Sequence, residues 1–264
     1  MSPAPADFLA RMRSIKDRRL AGLVADPEAT DLPARARAAA PPRDFVGALR
    51  AAAGNAVIAE VKRSSPSLGA INPGADPATQ ARAYVAGGAA AVSVLTESEY
   101  FSGSPADLTA VRAAVDVPLL AKDFFSHPLE LAEARLAGAD AVLLMADFLP
   151  GDTLATLYRE ARDLGLAVLL ELHDAAELPR VLALDPPLVG VNHRDLKTLT
   201  MNLDRAVRLR PRIPAGVLVV AESGIAGPAD LSRLKQGGCN AYLVGGHLMS
   251  APDPAAAVRE LVAA

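Results

Sequence analysis

Eight short apolar runs, each followed by a helix-like segment, restrict the fold of this chain more than any other feature. The runs lie at 56–61 (AVIAEV), 89–95, 118–121, 140–146, 167–172, 188–192, 217–221 and 241–245. The helix-like segments lie at 77–86, 105–114, 127–137, 151–164, 174–183, 203–209, 228–236 and 254–263. Near-continuous apolar strands alternating with helices mean a parallel sheet covered on its faces. Eight such units in 264 residues predict a closed (β/α)8 barrel, a TIM barrel, over an open doubly wound sheet. An open sheet would carry a G-x-G-x-x-G turn after its first strand, and the sequence has none there.

Residues 7–24 predict an amphipathic helix ahead of the barrel. Asp7 suits its cap, and Phe8, Met12, Ile15, Leu20 and Leu23 form its apolar stripe. Arg11, Arg13, Lys16, Arg18 and Arg19 read as a solvated basic face. Residues 32–43, rich in Ala, Pro and Arg, read as an irregular connector, with a short helix expected over 44–53. The expected organisation is a helical extension, 1–54, packed on a barrel of 55–264 as one domain. Asp152 and Asp174 suit helix N-caps, Pro254 suits the first turn after Asp253, and Gly138 and Gly165 suit helix ends.

Composition removes several function classes. The net charge is −3, which argues against a nucleic-acid surface. The single cysteine, Cys239, permits no internal disulfide and points to a reducing, cytoplasmic setting. No apolar run approaches the roughly 20 residues of a membrane helix, and the N-terminus carries no signal-peptide core. The histidines at 127, 173, 193 and 247 show no metal-ligand spacing, so no metal is expected.

The ends of the strands carry the chemistry, because barrels of this type build their sites there. Strand one ends in Glu60 and Lys62, which a period of two places on one face. Strand two gives Thr96 and Glu97; strand three runs into Lys122 and Asp123. Strand four, ending in Met145-Ala146-Asp147, is comparatively plain. Strand five carries Glu171, with His173 on the same parity. Strand six gives Asn192 and Arg194, and strand seven Glu222, Ser223 and Gly224. Strand eight ends in Gly245-Gly246, followed by a short helix at His247-Leu248-Met249. Taken singly, Lys62 or Glu97 is as readily an exposed loop charge, His173 and His193 read as packing or loop residues, and Asp123 and Asp195 as capping or supporting groups. Glu60, Lys62, Lys122, Glu171, Asn192, Arg194 and Glu222 converging on one mouth is different. So many hydrophilic groups on a low-dielectric floor are unfavourable unless they meet a charged substrate. Glycine loops after strands seven and eight suit an anion, which makes a phosphorylated small molecule the expected partner.

The blocks IAEVKRSSPSLG (58–69), VLTESEYFSGS (94–104), AKDF (121–124), LLELHD (169–174), GVNHRDL (190–196), VVAESGI (219–225) and YLVGGHLM (242–249) carry a resemblance across essentially the whole chain. The sequence resembles the indole-3-glycerol-phosphate synthase family. The resemblance implies conversion of 1-(2-carboxyphenylamino)-1-deoxyribulose 5-phosphate to indole-3-glycerol phosphate, carbon dioxide and water, with no cofactor. It implies Lys122 as the acid that protonates the substrate ketone and Glu171 as base or acid of the dehydration. Glu60, Lys62, Asn192, Glu222 and Ser223 would line the reacting groups, and Arg194 or Lys62 would meet the anthranilate carboxylate. Gly224, Gly245 and Gly246, with Lys62 and Ser65, would hold the phosphate. Lys62 and Arg194 are expected to lower the pKa of Lys122. Gly246 stands where many relatives have Ser or Glu, His127-Pro128-Leu129-Glu130 replaces a commoner D-P-Y-Q, and His193 occupies a variable position. The alternatives are another phosphosugar barrel, including a lysine Schiff-base aldolase, and a barrel that binds without catalysis. A monomer is expected, with a weak homodimer as the alternative.

Overall fold

The structure, a computed structural model, describes residues 8–196, 198 and 200–264. Eight strands close into a parallel barrel: β1 Ala56–Val61, β2 Ala91–Leu95, β3 Leu119–Lys122, β4 Ala141–Met145, β5 Ala167–Leu172, β6 Leu188–Asn192, β7 Leu218–Glu222 and β8 Ala241–Val244. Each strand pairs with its sequence neighbours, and β8 closes the sheet against β1. The predicted runs therefore coincide with the strands to within two residues. Their side chains are almost all buried because helices cover the outside and packed residues fill the inside.

The covering helices are α4 Pro77–Ala86, α5 Pro105–Ala114, α6 Pro128–Leu136, α7 Thr153–Asp163, α8 Leu178–Leu182, α9 Asp204–Leu209, α10 Pro228–Gln236 and α12 Pro254–Ala263, with the short α11 Gly246–Met249 before the last. Local chemistry sets their ends. Asp76, Ser104 and Asp253 accept the backbone N–H groups of Thr79, Asp107 and Ala256, and proline occupies the first turn of α4, α5 and α12. Gly138 and Gly165 follow α6 and α7 at φ 104° and 76°, the left-handed conformation that ends a helix.

Two expected caps differ. Asp152 stands before α7 with helical backbone angles and makes no capping hydrogen bond. Asp174 caps a turn, accepting from Ala176 N–H at 2.9 Å, and α8 starts four residues later.

Ahead of the barrel lie α1 Phe8–Ala25, α2 Leu32–Ala38 and α3 Phe45–Arg50. Asp7, the expected cap of α1, lies outside the described residues. The connector expected over 32–43 is partly helical. Pro33 sits in the first turn of α2, where its missing N–H costs nothing, and Ala34, Ala36 and Ala38 are strong helix formers. The basic face of α1 is not wholly solvated. Lys16 is buried, with its ammonium 3.1 Å from Asp123 and 2.5 Å from Glu130, and Arg19 also reaches Asp123 at 3.1 Å. These pairs pin α1 across the segment that follows β3. No helix among the described residues is long and apolar enough to cross a membrane.

Candidate active site

A cavity of about 350 Å³ opens at the C-terminal ends of the strands. Parallel register is what assembles its floor. Asn192 on β6 lies beside Glu222 on β7, and Met145 on β4 beside Glu171 on β5. Leu95 on β2 pairs with Lys122, the last residue of β3. Residues far apart along the chain thus arrive at one level of the barrel.

Lys122 is the hub. Its Nζ is 3.4 Å from Glu222, 3.7 Å from Glu60 and 3.7 Å from Glu171. Glu60 is also 2.5 Å from Lys62, as two residues of one strand face require. Glu60, Lys62, Ser65, Lys122, Glu171, Asn192, Arg194, Ser223, Gly224, Gly245 and Gly246 all border the cavity. Glu222 does not. It is 0% exposed and lies beneath Lys122.

The electrostatics follow from this packing. Burial pushes the Lys122 ammonium down, but Glu222, Glu171 and Glu60 outweigh it and hold the group above the ordinary lysine value. The expected lowering by Lys62 and Arg194 is therefore corrected: the charges that act on this lysine are those of Glu222, Glu171 and Glu60. Burial pushes Glu60 up, and Lys62 and Lys122 reverse that, leaving it below the ordinary range. Burial likewise pushes Glu171 up, and Lys122 and His173 reverse it. Burial and the charge of Glu171 push Glu222 well up. Of this pair, Glu222 is the one whose carboxyl is driven toward its protonated form and Glu171 the one drawn toward its ionised form. Three cations, Lys62, Lys122 and Arg194, border the cavity together with Glu60, Asp123 and Glu171. Those three cations give an anionic ligand charged groups to meet.

The remaining polar groups set the shape. Asn192 accepts the Arg194 N–H with its side-chain oxygen at 3.0 Å, and its side chain helps to draw the Glu171 carboxyl down. Ser223 adopts φ 68°, unusual for a residue with a side chain, and Gly224 follows at φ 77°. His193, fully buried, donates from Nδ1 to the Ser223 carbonyl at 2.9 Å and holds this bend. Any side chain at Gly245 would run into Glu60 and Lys62, so only bare backbone fits there. Gly246 faces Leu68 alone.

Several strand-end residues do other work. The Glu97 carboxylate accepts the N–H groups of Glu99, Tyr100 and Phe101, folding the loop after β2. Thr96 donates to Asp123, which anchors α1. Asp195 accepts from Thr198. His127 opens α6 in a reciprocal capping arrangement with Glu130, and neither borders the cavity. Sequence reasoning missed the aromatic wall formed by Phe8, Phe101 and Phe124. Phe124 lies two residues past β3 and Phe101 in the loop after β2, and both carried that signal. Phe8 comes from α1, and only its place on the apolar stripe hinted at a buried role. His173 was read as packing, yet it stands between two carboxylates, Glu171 and Asp147.

Comparison with known proteins places this geometry. The sequence matches the family model described as indole-3-glycerol phosphate synthase over residues 9–261. An indole-3-glycerol phosphate synthase from Aromatoleum aromaticum is 47% identical over 260 residues, covering 97% of this chain and 99% of that one. One from Nocardioides sp. is 53% identical over 221 residues, 84% of this chain and 85% of that one. One from Rhodopirellula baltica is 46% identical over 257 residues, 97% and 98% of the two chains. Among solved structures, a thiamine phosphate pyrophosphorylase from Pyrococcus furiosus superposes with a TM-score of 0.60 at 16% identity, covering 83% of this chain and 96% of that one, a likeness of fold alone. Match length and identity leave one assignment: the chain belongs to the indole-3-glycerol phosphate synthase family.

Proposed function

We propose that the chain closes the indole ring. Its substrate is 1-(2-carboxyphenylamino)-1-deoxyribulose 5-phosphate, and its products are indole-3-glycerol phosphate, carbon dioxide and water. The observation that carries this reading is Lys122 at the floor of the cavity, its Nζ within 3.7 Å of the buried side chains of Glu60, Glu171 and Glu222.

In this reading Lys122 gives its proton to the substrate ketone as the aryl carbon bonds to it. A lysine kept in its ammonium form by its neighbours is already charged for that step. The ring nitrogen then carries positive charge, and the carboxylate of Glu60 stabilises it, with Glu222 beneath. That cation draws the electrons of the breaking bond to the carboxyl carbon, and carbon dioxide leaves. Glu171 serves the dehydration, taking the ring proton whose loss accompanies departure of the hydroxyl as water. Asn192 holds Glu171 in place. Arg194 meets the anthranilate carboxylate, with Ser223 beside it. Lys62, Ser65 and the bare backbone at Gly224, Gly245 and Gly246 hold the phosphate. Fixing that distant group restrains a flexible chain close to its attack geometry.

An imine-forming aldolase needs a free amine, and the three carboxylates around Lys122 oppose one. We further infer a cytoplasmic protein that works as a monomer on a small molecule, without a resident cofactor and with neither nucleic acid nor membrane as partner. The direct assay mixes purified protein with the carboxyphenylamino-deoxyribulose phosphate and follows indole fluorescence. Folded protein that yields no signal would overturn the assignment.

A further inference from the structure

The imidazole of His173 is buried behind Glu171, outside the cavity, and each ring nitrogen faces a different carboxylate. Nε2 is 3.3 Å from Glu171 Oε1, and Nδ1 is 3.3 Å from Asp147 Oδ2. Neither contact has hydrogen-bond alignment; proton-transfer groups commonly tighten only in the transition-state complex. The loop carrying His173 is fixed from below, where its backbone N–H donates to Glu177 at 2.8 Å. Asp147 follows β4, at a strand end whose sequence offers no other ionisable group.

The charged surroundings are few. On β5 there is Glu171, with Lys122 of β3 3.7 Å from its second oxygen. Glu222 of β7 is coupled to Glu171 from the far side. From the α8 side come Glu177 and Arg180, the latter donating to the Ala146 carbonyl. Asp147 completes the set.

We propose that His173 positions Glu171 and, with Asp147, forms the route by which the Glu171 proton exchanges with the outside while substrate fills the cavity. This rests on the ring-closing reading above, in which Glu171 gains a proton and must lose it in every turnover. An imidazole takes a proton at one nitrogen and releases one from the other. A proton passing from Glu171 Oε1 to Nε2 makes an imidazolium, which gives its Nδ1 proton to Asp147. Asp147 releases that proton outside. The reverse passage then carries an outside proton inward to Glu171, which passes it to Lys122, 3.7 Å away and neutral after the ketone step. The ring regains its starting tautomer, with one proton sent out and one brought in. The aspartate lies at the edge of the buried region, and the cavity itself offers Glu171 only groups already committed to the substrate.

The test compares wild type with His173→Gln, His173→Ala and Asp147→Asn, in the fluorescence assay and by thermal melting. Each variant should lower kcat about tenfold, a part of the ~10²–10⁴ that a general acid–base group contributes, and leave KM within about twofold. The pH dependence of kcat should move, and added imidazole should restore His173→Ala. Asp147→Asn, at the margin of the cluster, keeps the test open if a His173 variant fails to fold. An active wild type whose Asp147→Asn variant keeps its kcat and pH profile would overturn the relay alone. So would a His173→Ala protein that imidazole does not rescue. A wild type with no turnover would instead remove the ring-closing reading, and the relay with it.

Discussion

The proton inventory of the site sits in single residues and gives the sharpest predictions. Lys122→Met should cut kcat by ~10²–10⁴ while circular dichroism shows an unchanged fold. If turnover survives, another group is the acid. The pH profile of kcat/KM for the free protein has a sign that can be worked out. Burial lowers the pKa of Lys122, but the carboxylates raise it beyond the ordinary 10.5, so the acid stays protonated across the neutral and mildly alkaline range. Glu171, drawn below its ordinary 4.5 by Lys122 and His173 against the effect of burial, stays ionised until the pH falls beneath that value. The acid limb should therefore lie under about pH 4.5. Burial and the charge of Glu171 push Glu222 well up, so an alkaline limb set by its ionisation should vanish in Glu222→Gln. An acid limb at pH 6, or an alkaline limb that persists in the variant, contradicts the assignment of charges.

The elements show what fixes those residues. α1 is joined to the barrel by buried ion pairs from Lys16 to Asp123 and Glu130. Removing one partner of a buried pair strands the others, so Lys16→Met should lose roughly 3 kcal/mol in urea unfolding. It should also free α1 for proteolysis before the barrel. Unaltered stability would mean that the pairs merely offset their own desolvation. The same helix shows where sequence reading stops. The strands were legible because burial on both faces forces continuous apolar runs, and Glu60, Lys62 and Glu171 stood out as charges within or just beyond them. The burial of Lys16 was not, since nothing local separates a lysine bound for two distant carboxylates from one bound for water. α2 was missed because alanine, proline and arginine suit a loop as well as a first helical turn. The role of His173 was hidden because it depends on Asp147, one strand away.

At the scale of the molecule, the chain is acidic overall, yet three cations, Lys62, Lys122 and Arg194, gather at its cavity. A phosphorylated, carboxylated substrate is then repelled at long range and attracted at the mouth. Chloride salts should lower kcat/KM several-fold as the screening length shrinks from ~30 Å at 0.01 M to ~8 Å at 0.15 M, leaving kcat unchanged. A kcat/KM that rises with salt would show the overall charge dominating capture. The division between strand-borne and loop-borne groups has a consequence beyond this reaction. Glu60, Lys122, Glu171, Asn192 and Glu222 ride on the sheet itself, locked by ladder pairing, whereas Ser65, Arg194, Ser223 and Gly224 belong to the rim. Reactivity and selectivity are thereby separately heritable: exchange of rim segments can retune which metabolite is admitted, while the engine beneath passes unaltered from ancestor to descendant.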